Sequence, residues 1–157
     1  AIKQFEQAVR LNPNDRKAHI NLGMALEKTG KAREAIVQYE QVRRIEPDDP
    51  TIQNNLAWLL ATLAPADGGD PTRAVILAER ACSLTTNSVF AYLDTLAAAY
   101  AAAGRFNDAI ATATKAIELA NSDGQSQAVK ELELHLELYR AGRPYHQSID
   151  VASPPKP

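Results

Sequence analysis

The sequence is poor in the residues that build reactive sites. One cysteine, Cys82, stands among 157 residues, so no internal disulfide forms. Its setting in Ala81-Cys82-Ser83, near the end of an expected helix, makes it an inert helix residue, and a lone thiol leaves cytoplasm and periplasm equally open. The three histidines, His19, His135 and His146, are far apart and lack Cys or repeated-His ligand spacing. Glu131 and His135 form a single i to i+4 pair on an expected exposed face, too few ligands for zinc. The seven glycines are accounted for by turns, and no phosphate-cradling loop, nucleophile elbow or paired catalytic carboxylates appear. The expectation is a non-catalytic chain without metal or cofactor. No long apolar run is present, which excludes a membrane-spanning helix within it. With 17 basic against 19 acidic residues, a net charge of -2 and no block of like charge, nothing marks a nucleic-acid or lipid-headgroup surface.

What is there is self-similarity. Leu22-Gly23 with Leu26, then Ala35, Tyr39 and Pro47, recurs as Leu56-Ala57 with Leu60 and again as Leu96-Ala97 with Tyr100. Ala1 to Ala35 and Pro13 to Pro47 are each 34 residues apart, and the residues between read as two short amphipathic helices joined by a turn. That period belongs to a helix-turn-helix solenoid, an architecture that binds partners far more often than it catalyses. Ala1 already occupies the second-helix slot later filled by Ala35, Ala74 and Ala109, and no initiating Met or signal segment precedes it, so the chain reads as a fragment.

Apolar spacing of three and four places helices at about 1–11, 16–28, 32–45, 51–63, 71–84, 90–103, 106–119 and 123–141. Asn12-Pro13-Asn14-Asp15 stops the first. Gly30 and Gly104 mark internal turns, and Asp49-Pro50 and Asp70-Pro71 each supply an N-cap followed by a first-turn proline. Leu60 to Ala74 spans 14 residues where Leu26 to Ala35 and Tyr100 to Ala109 span 9, so five residues are inserted, in the loop 64–70. Its Pro65, Gly68 and Gly69 forbid continued helix; it is either a plain surface insertion, or a contact finger or local metal loop through Asp67 and Asp70.

These residues resemble the tetratricopeptide repeat (TPR) family over about 1–122. The small residues Gly23, Ala57 and Ala97, paired with Ala35, Ala74 and Ala109, match the slots where that family packs its two helices closely. Departures are His19, Gln53 and Leu93 where the family often has an aromatic, Ala78 and Ala113 where it prefers a larger residue, and Thr86 and Asn121 in place of the closing proline. The stretches 93–106 and 138–145 look like the C-terminal repeat region of large bacterial repeat proteins. The resemblance implies an all-α, right-handed superhelical solenoid: an orphan second helix over 1–13, repeats at 14–49, 50–88 and 89–122, a capping helix at 123–142 and an extended or disordered tail at 143–157.

By the family's geometry the first helix of each pair lines a concave face. Its expected groove residues are Lys17, Ile20, Asn21, Met24, Glu27 and Lys28, then Thr51, Asn54, Asn55, Trp58 and Thr62, then Asp94, Thr95, Ala98 and Ala101. Asn21 and Asn55 share one slot a repeat apart; they either grip a peptide backbone as a short ladder or bridge neighbouring helices. Met24 is groove anchor or core, and Trp58 is expected as a half-exposed ring beside the inserted loop. Ile20, Met24, Ala91 and Thr95 fill slots that a dicarboxylate clamp needs as Lys, Asn, Lys and Arg, so chaperone-tail binding by that mechanism is not expected. In the terminal helix Val129, Leu132, Leu136 and Tyr139 make the inner face, while Leu134 and Leu138 fall opposite and suggest contact with another chain, the rest of the protein, or the tail through Tyr145, Ile149 and Val151.

Two functions follow as expectations. One is a scaffold binding an extended peptide or partner segment through Lys17, Asn21, Met24, Lys28, Asn54, Asn55, Trp58 and Asp94. The other is an assembly module that docks to its own upstream domain or to a second copy through Leu134, Leu138 and an uncovered first helix carrying Ile2, Phe5 and Val9.

Overall fold

The computed structural model describes residues 1–147. Among them the chain forms α1 (Ile2–Leu11), α2 (Arg16–Lys28), α3 (Ala32–Ile45), α4 (Pro50–Thr62), α5 (Pro71–Leu84), α6 (Phe90–Ala102), α7 (Phe106–Ser122) and α8 (Ser126–Arg140), with one 3-10 turn at Pro65–Asp67 and no strand. This is an all-α helical repeat solenoid, with α2/α3, α4/α5 and α6/α7 as successive antiparallel pairs.

The helix starts follow from side-chain chemistry. Asp15 accepts from the Ala18 amide, Asp49 from the amides of Thr51 and Ile52, and Asp70 from that of Arg73, each satisfying a donor that a helix N-terminus leaves free. The turns inside the pairs are closed by Gly30 and Gly104 in left-handed conformation. They let the Lys31 amide reach the Leu26 carbonyl at 2.9 Å and the Arg105 amide reach that of Tyr100 at 2.8 Å.

Small residues set the closeness of each pair. A Cβ at Gly23 would sit 2.6 Å from Cε1 of Tyr39, so only glycine lets α2 lie against that buried ring. The same slots in the later pairs hold Ala57 and Ala97, both fully buried, as are Ala74 and Ala109 facing them. Ala97, Ala101, Ala109 and Ala113 form the α6/α7 contact with Leu136 and Tyr139, which compensates for the absence of larger side chains at Ala113.

His19 and Gln53, which stand where an aromatic is common, have a shared task. His19 Nε2 lies 2.9 Å from the Pro13 carbonyl, and Gln53 donates through Nε2 to the Pro47 carbonyl at 2.5 Å. Each polar side chain ties its helix to the closing proline six residues earlier. Neighbouring repeats are also stitched by Arg73 to Glu40 and Arg80 to Asp48, while Arg16 ties the start of α2 to Glu46 and to the α4 cap Asp49.

The inserted loop is tied to the helices on either side of it. Arg33 on α3 donates to the Ala66 carbonyl and lies 3.7 Å from the Asp67 carboxylate, while Asp70 caps α5. Each of the two carboxylates suggested as metal ligands thus has a contact within the fold. Two boundaries also differ from the sequence expectation: α7 continues to Ser122 and α8 begins at Ser126. Asn121 therefore stays helical where a closing proline would have ended the helix, and Gly124 makes the turn.

Candidate functional site

The first helix of each pair and α8 share one concave side and enclose a trough of about 280 Å³. Glu27 comes from the last turn of α2. Asn54, Asn55 and Trp58 project from α4 at the three- and four-residue spacing of one helix face. Phe90, Ala91, Asp94 and Thr95 do the same from α6, and Ala128, Glu131 and Leu132 from α8. Three carboxylates, from three helices, thus converge on a lining that contains no lysine or arginine.

The α2 wall is held by a side-chain hydrogen bond: the buried Tyr39 hydroxyl donates to Glu27 Oε1. Burial raises the Glu27 carboxyl above its ordinary range, and the hydrogen bond from Tyr39 opposes it only in part. Burial, followed by the hydrogen bond to Glu27, pushes the Tyr39 phenol far above its usual value, so it remains a donor at any physiological pH. Asn55 lies beside this pair at the trough edge. Beside it, the Asn54 side-chain oxygen is buried without a hydrogen-bond partner.

The opposite end of the trough is closed by α8 and the residues after it. His135 Nδ1 lies 2.9 Å from Asp94 Oδ1, with the His135 side chain only 14% exposed. Burial pulls the imidazole pKa down, but the hydrogen bond and charge of Asp94, with Glu131, outweigh it and raise the value overall. The His135 ring centroid is 4.6 Å from that of Tyr145 and 6.1 Å from that of Trp58, and Tyr145 lies 5.5 Å from Trp58. Two residues on, the Gln147 amide donates to the Thr62 carbonyl at 3.0 Å and its side chain to Thr62 Oγ1 at 2.7 Å.

The structure gathers half of the expected partner-binding residues: Asn54, Asn55, Trp58 and Asp94 line the trough. Lys17 and Asn21 are exposed outside that lining, and Met24 is 46% exposed, so it is not core. Lys28 instead borders a shallow apolar hollow with Ala1, Ile2 and Ala25. Asn55 lines the trough, whereas Asn21 lies outside its lining.

Several side chains fall elsewhere than expected. Thr62, Ala98 and Ala101 are buried, because α8 and its following segment cover that end of the concave face. The Trp58 ring is half-buried as expected, but against His135 and Tyr145; the inserted loop lies over Arg33 and Ile36 of α3. Glu131 and His135 share no exposed face, since His135 turns inward to Asp94.

Leu134 is 66% exposed, whereas Leu138 is half-buried against the cluster of Leu136 and Tyr139, where Tyr145 also packs. Ile149 and Val151 lie outside the described residues. Ile2, Phe5 and Val9 are half-buried against the main core, so α2 covers much of the face expected to be bare.

Sequence reasoning missed Phe90, Ala128, Glu131 and Leu132 as trough residues, and the packing of His135 and Tyr145 on Trp58. The Glu131/His135 spacing and the aromatic at Tyr145 were the available signals. Among the described residues no group of three or more His, Cys, Asp and Glu side chains is placed to hold a metal ion, and no helix is long and apolar enough to cross a membrane.

Family models described as tetratricopeptide repeat match residues 1–59 and 91–123. No curated protein sequence matches significantly. Among solved structures the fold is similar to two crystal structures of MamA. One shows 18% identity and a TM-score of 0.67 over 90% of this chain and 78% of that one. The other shows 14% and 0.65 over 90% and 85%. It is also similar to the nearly identical TPR-like repeats assigned to a Podosopora anserina kinesin light chain, at 21% identity and 0.60 over 90% and 84%. The chain belongs to the tetratricopeptide repeat family, and its general role is that of a protein-protein interaction scaffold.

Proposed function

We propose that the concave trough binds an extended peptide segment carrying at least one basic side chain. The observation that carries this reading is the convergence of Glu27, Asp94 and Glu131 on a lining without lysine or arginine. A peptide cation placed there meets carboxylates in a partly desolvated hollow, where their attraction is stronger than in open water. Trp58 and Phe90 supply apolar and π surface for its aliphatic stem. The Asn54 and Asn55 carboxamides line the same hollow and can hydrogen-bond a peptide backbone.

The test is a fluorescence-anisotropy titration with a labelled, extended lysine-containing peptide against one with norleucine in place of each lysine. The lysine peptide is expected to bind more tightly, with the advantage shrinking as salt is raised. The combined variant Glu27→Gln, Asp94→Asn and Glu131→Gln is expected to lose about tenfold in affinity, equivalent to about 1.4 kcal/mol. Equal affinity for the two peptides, or no loss in the variant, overturns the reading. Binding is also expected to release protons at pH values where free Glu27 is still partly protonated, because a nearby cation pulls its raised pKa back down.

A further inference from the structure

We propose that residues 143–147 are a displaceable clasp, an intramolecular ligand that occupies one end of the concave face and competes with a partner for Trp58. Their path is set by the end of α8. Gly142 takes a left-handed conformation, with the Arg143 amide bonding the Leu138 carbonyl at 2.9 Å and the Gly142 amide that of Tyr139 at 3.0 Å. That pairing ends the helix and turns the chain sharply. Pro144 then keeps the chain from helical continuation.

The contacts beyond the turn are those of a bound peptide. Tyr145 inserts its ring against Trp58 and His135, and Gln147 uses its main-chain amide on the Thr62 carbonyl. Thr62 is the last residue of α4, so this carbonyl is one that the helix itself leaves unpaired. A side-chain anchor plus one backbone bond two residues later is how an extended segment is gripped. The Gln147 side chain repeats the hold on Thr62 Oγ1.

Trp58 joins clasp and trough. It lines the hollow beside Asn54 and Asn55 and also carries the Tyr145 ring. Asp94 is shared in the same way, lining the trough while bonding His135 beneath Tyr145. A peptide long enough to pass Trp58 toward Thr62 meets the clasp, and only one of the two can hold that end. Beyond the turn bond of Arg143, the clasp is tied to the described array by two hydrogen bonds, both from Gln147, and one aromatic side chain, so it opens without the helices separating. The competition with a partner rests on the trough reading above; the clasp's local opening does not.

Native-state hydrogen exchange on the full chain tests the opening. The Gln147 amide is expected to exchange through a local event insensitive to low denaturant, while amides of α6 exchange only with global unfolding. If Gln147 exchanges only with global unfolding, the segment is a fixed part of the fold and the proposal fails. Competition is tested with Tyr145→Ala and the lysine peptide. If the clasp is closed nine-tenths of the time, opening it raises apparent affinity about tenfold. Unchanged affinity in the variant overturns competition. If the peptide binds neither chain, it is the trough reading that fails, and the exchange result alone decides the clasp.

Discussion

Asp94 on α6 and His135 on α8 meet at 2.9 Å across the mouth of the trough, joining the last repeat to the capping helix through one titratable contact. The sign of its pH dependence follows from the raised imidazole pKa. The folded state binds the proton more tightly than the unfolded chain, so the stabilisation is complete below the ordinary value of 6.5 and fades as pH rises through the folded value. Asp94→Asn removes the main group holding the charged form, leaving burial to lower the pKa. An NMR titration of the His135 ring is expected to show a pKa above 6.5 in the native chain and a lower one in the variant. A value in the variant equal to or above the native one contradicts the assignment.

Gly23→Ala tests the packing of the first complete pair. The added methyl meets the Tyr39 ring, which is fully buried and hydrogen-bonded to Glu27, so it has little room to move. Overpacking of this kind costs about 1–3 kcal/mol. Urea denaturation is expected to show that loss; a variant as stable as the parent means that α2 and α3 separate without cost.

Cys82 is buried in α5, and burial, with the nearby charge of Glu79, pushes its thiol pKa up to about 11. Neither access nor thiolate is available in the native state. Alkylation by iodoacetamide at pH 8 is expected to proceed at the rate of unfolding and to accelerate with denaturant. Rapid labelling of the native chain contradicts this burial.

What could be read from the sequence follows from locality. The slots of Gly23, Ala57 and Ala97, the caps at Asp49 and Asp70, and the turns at Gly30 and Gly104 depend on neighbours a few residues away or one repeat away, and periodicity exposes both. That Asn54, Asn55 and Trp58 share one face of α4 was legible for the same reason. Glu131 and His135 were not, because α8 has lost the repeat and its rotation about its own axis is set by packing on α7 and α6. The clasp was further from view: Gln147 meets Thr62 across 85 residues, and nothing in an expected extended tail signals where it lands. His19 and Gln53 looked like departures from the family pattern, and their bonds to Pro13 and Pro47 need the folded turn to be seen.

The central claim is that binding occurs on the concave side, in the trough between α4, α6 and α8. Amide chemical-shift mapping with the lysine-bearing peptide tests it most directly. The account predicts saturable shifts at Asn54, Asn55, Asp94 and Glu131, including the Asn54 and Asn55 side-chain amides and the Trp58 indole. Shifts confined to exposed positions outside the trough, such as Val37 and Ile76, with the trough silent, would contradict it.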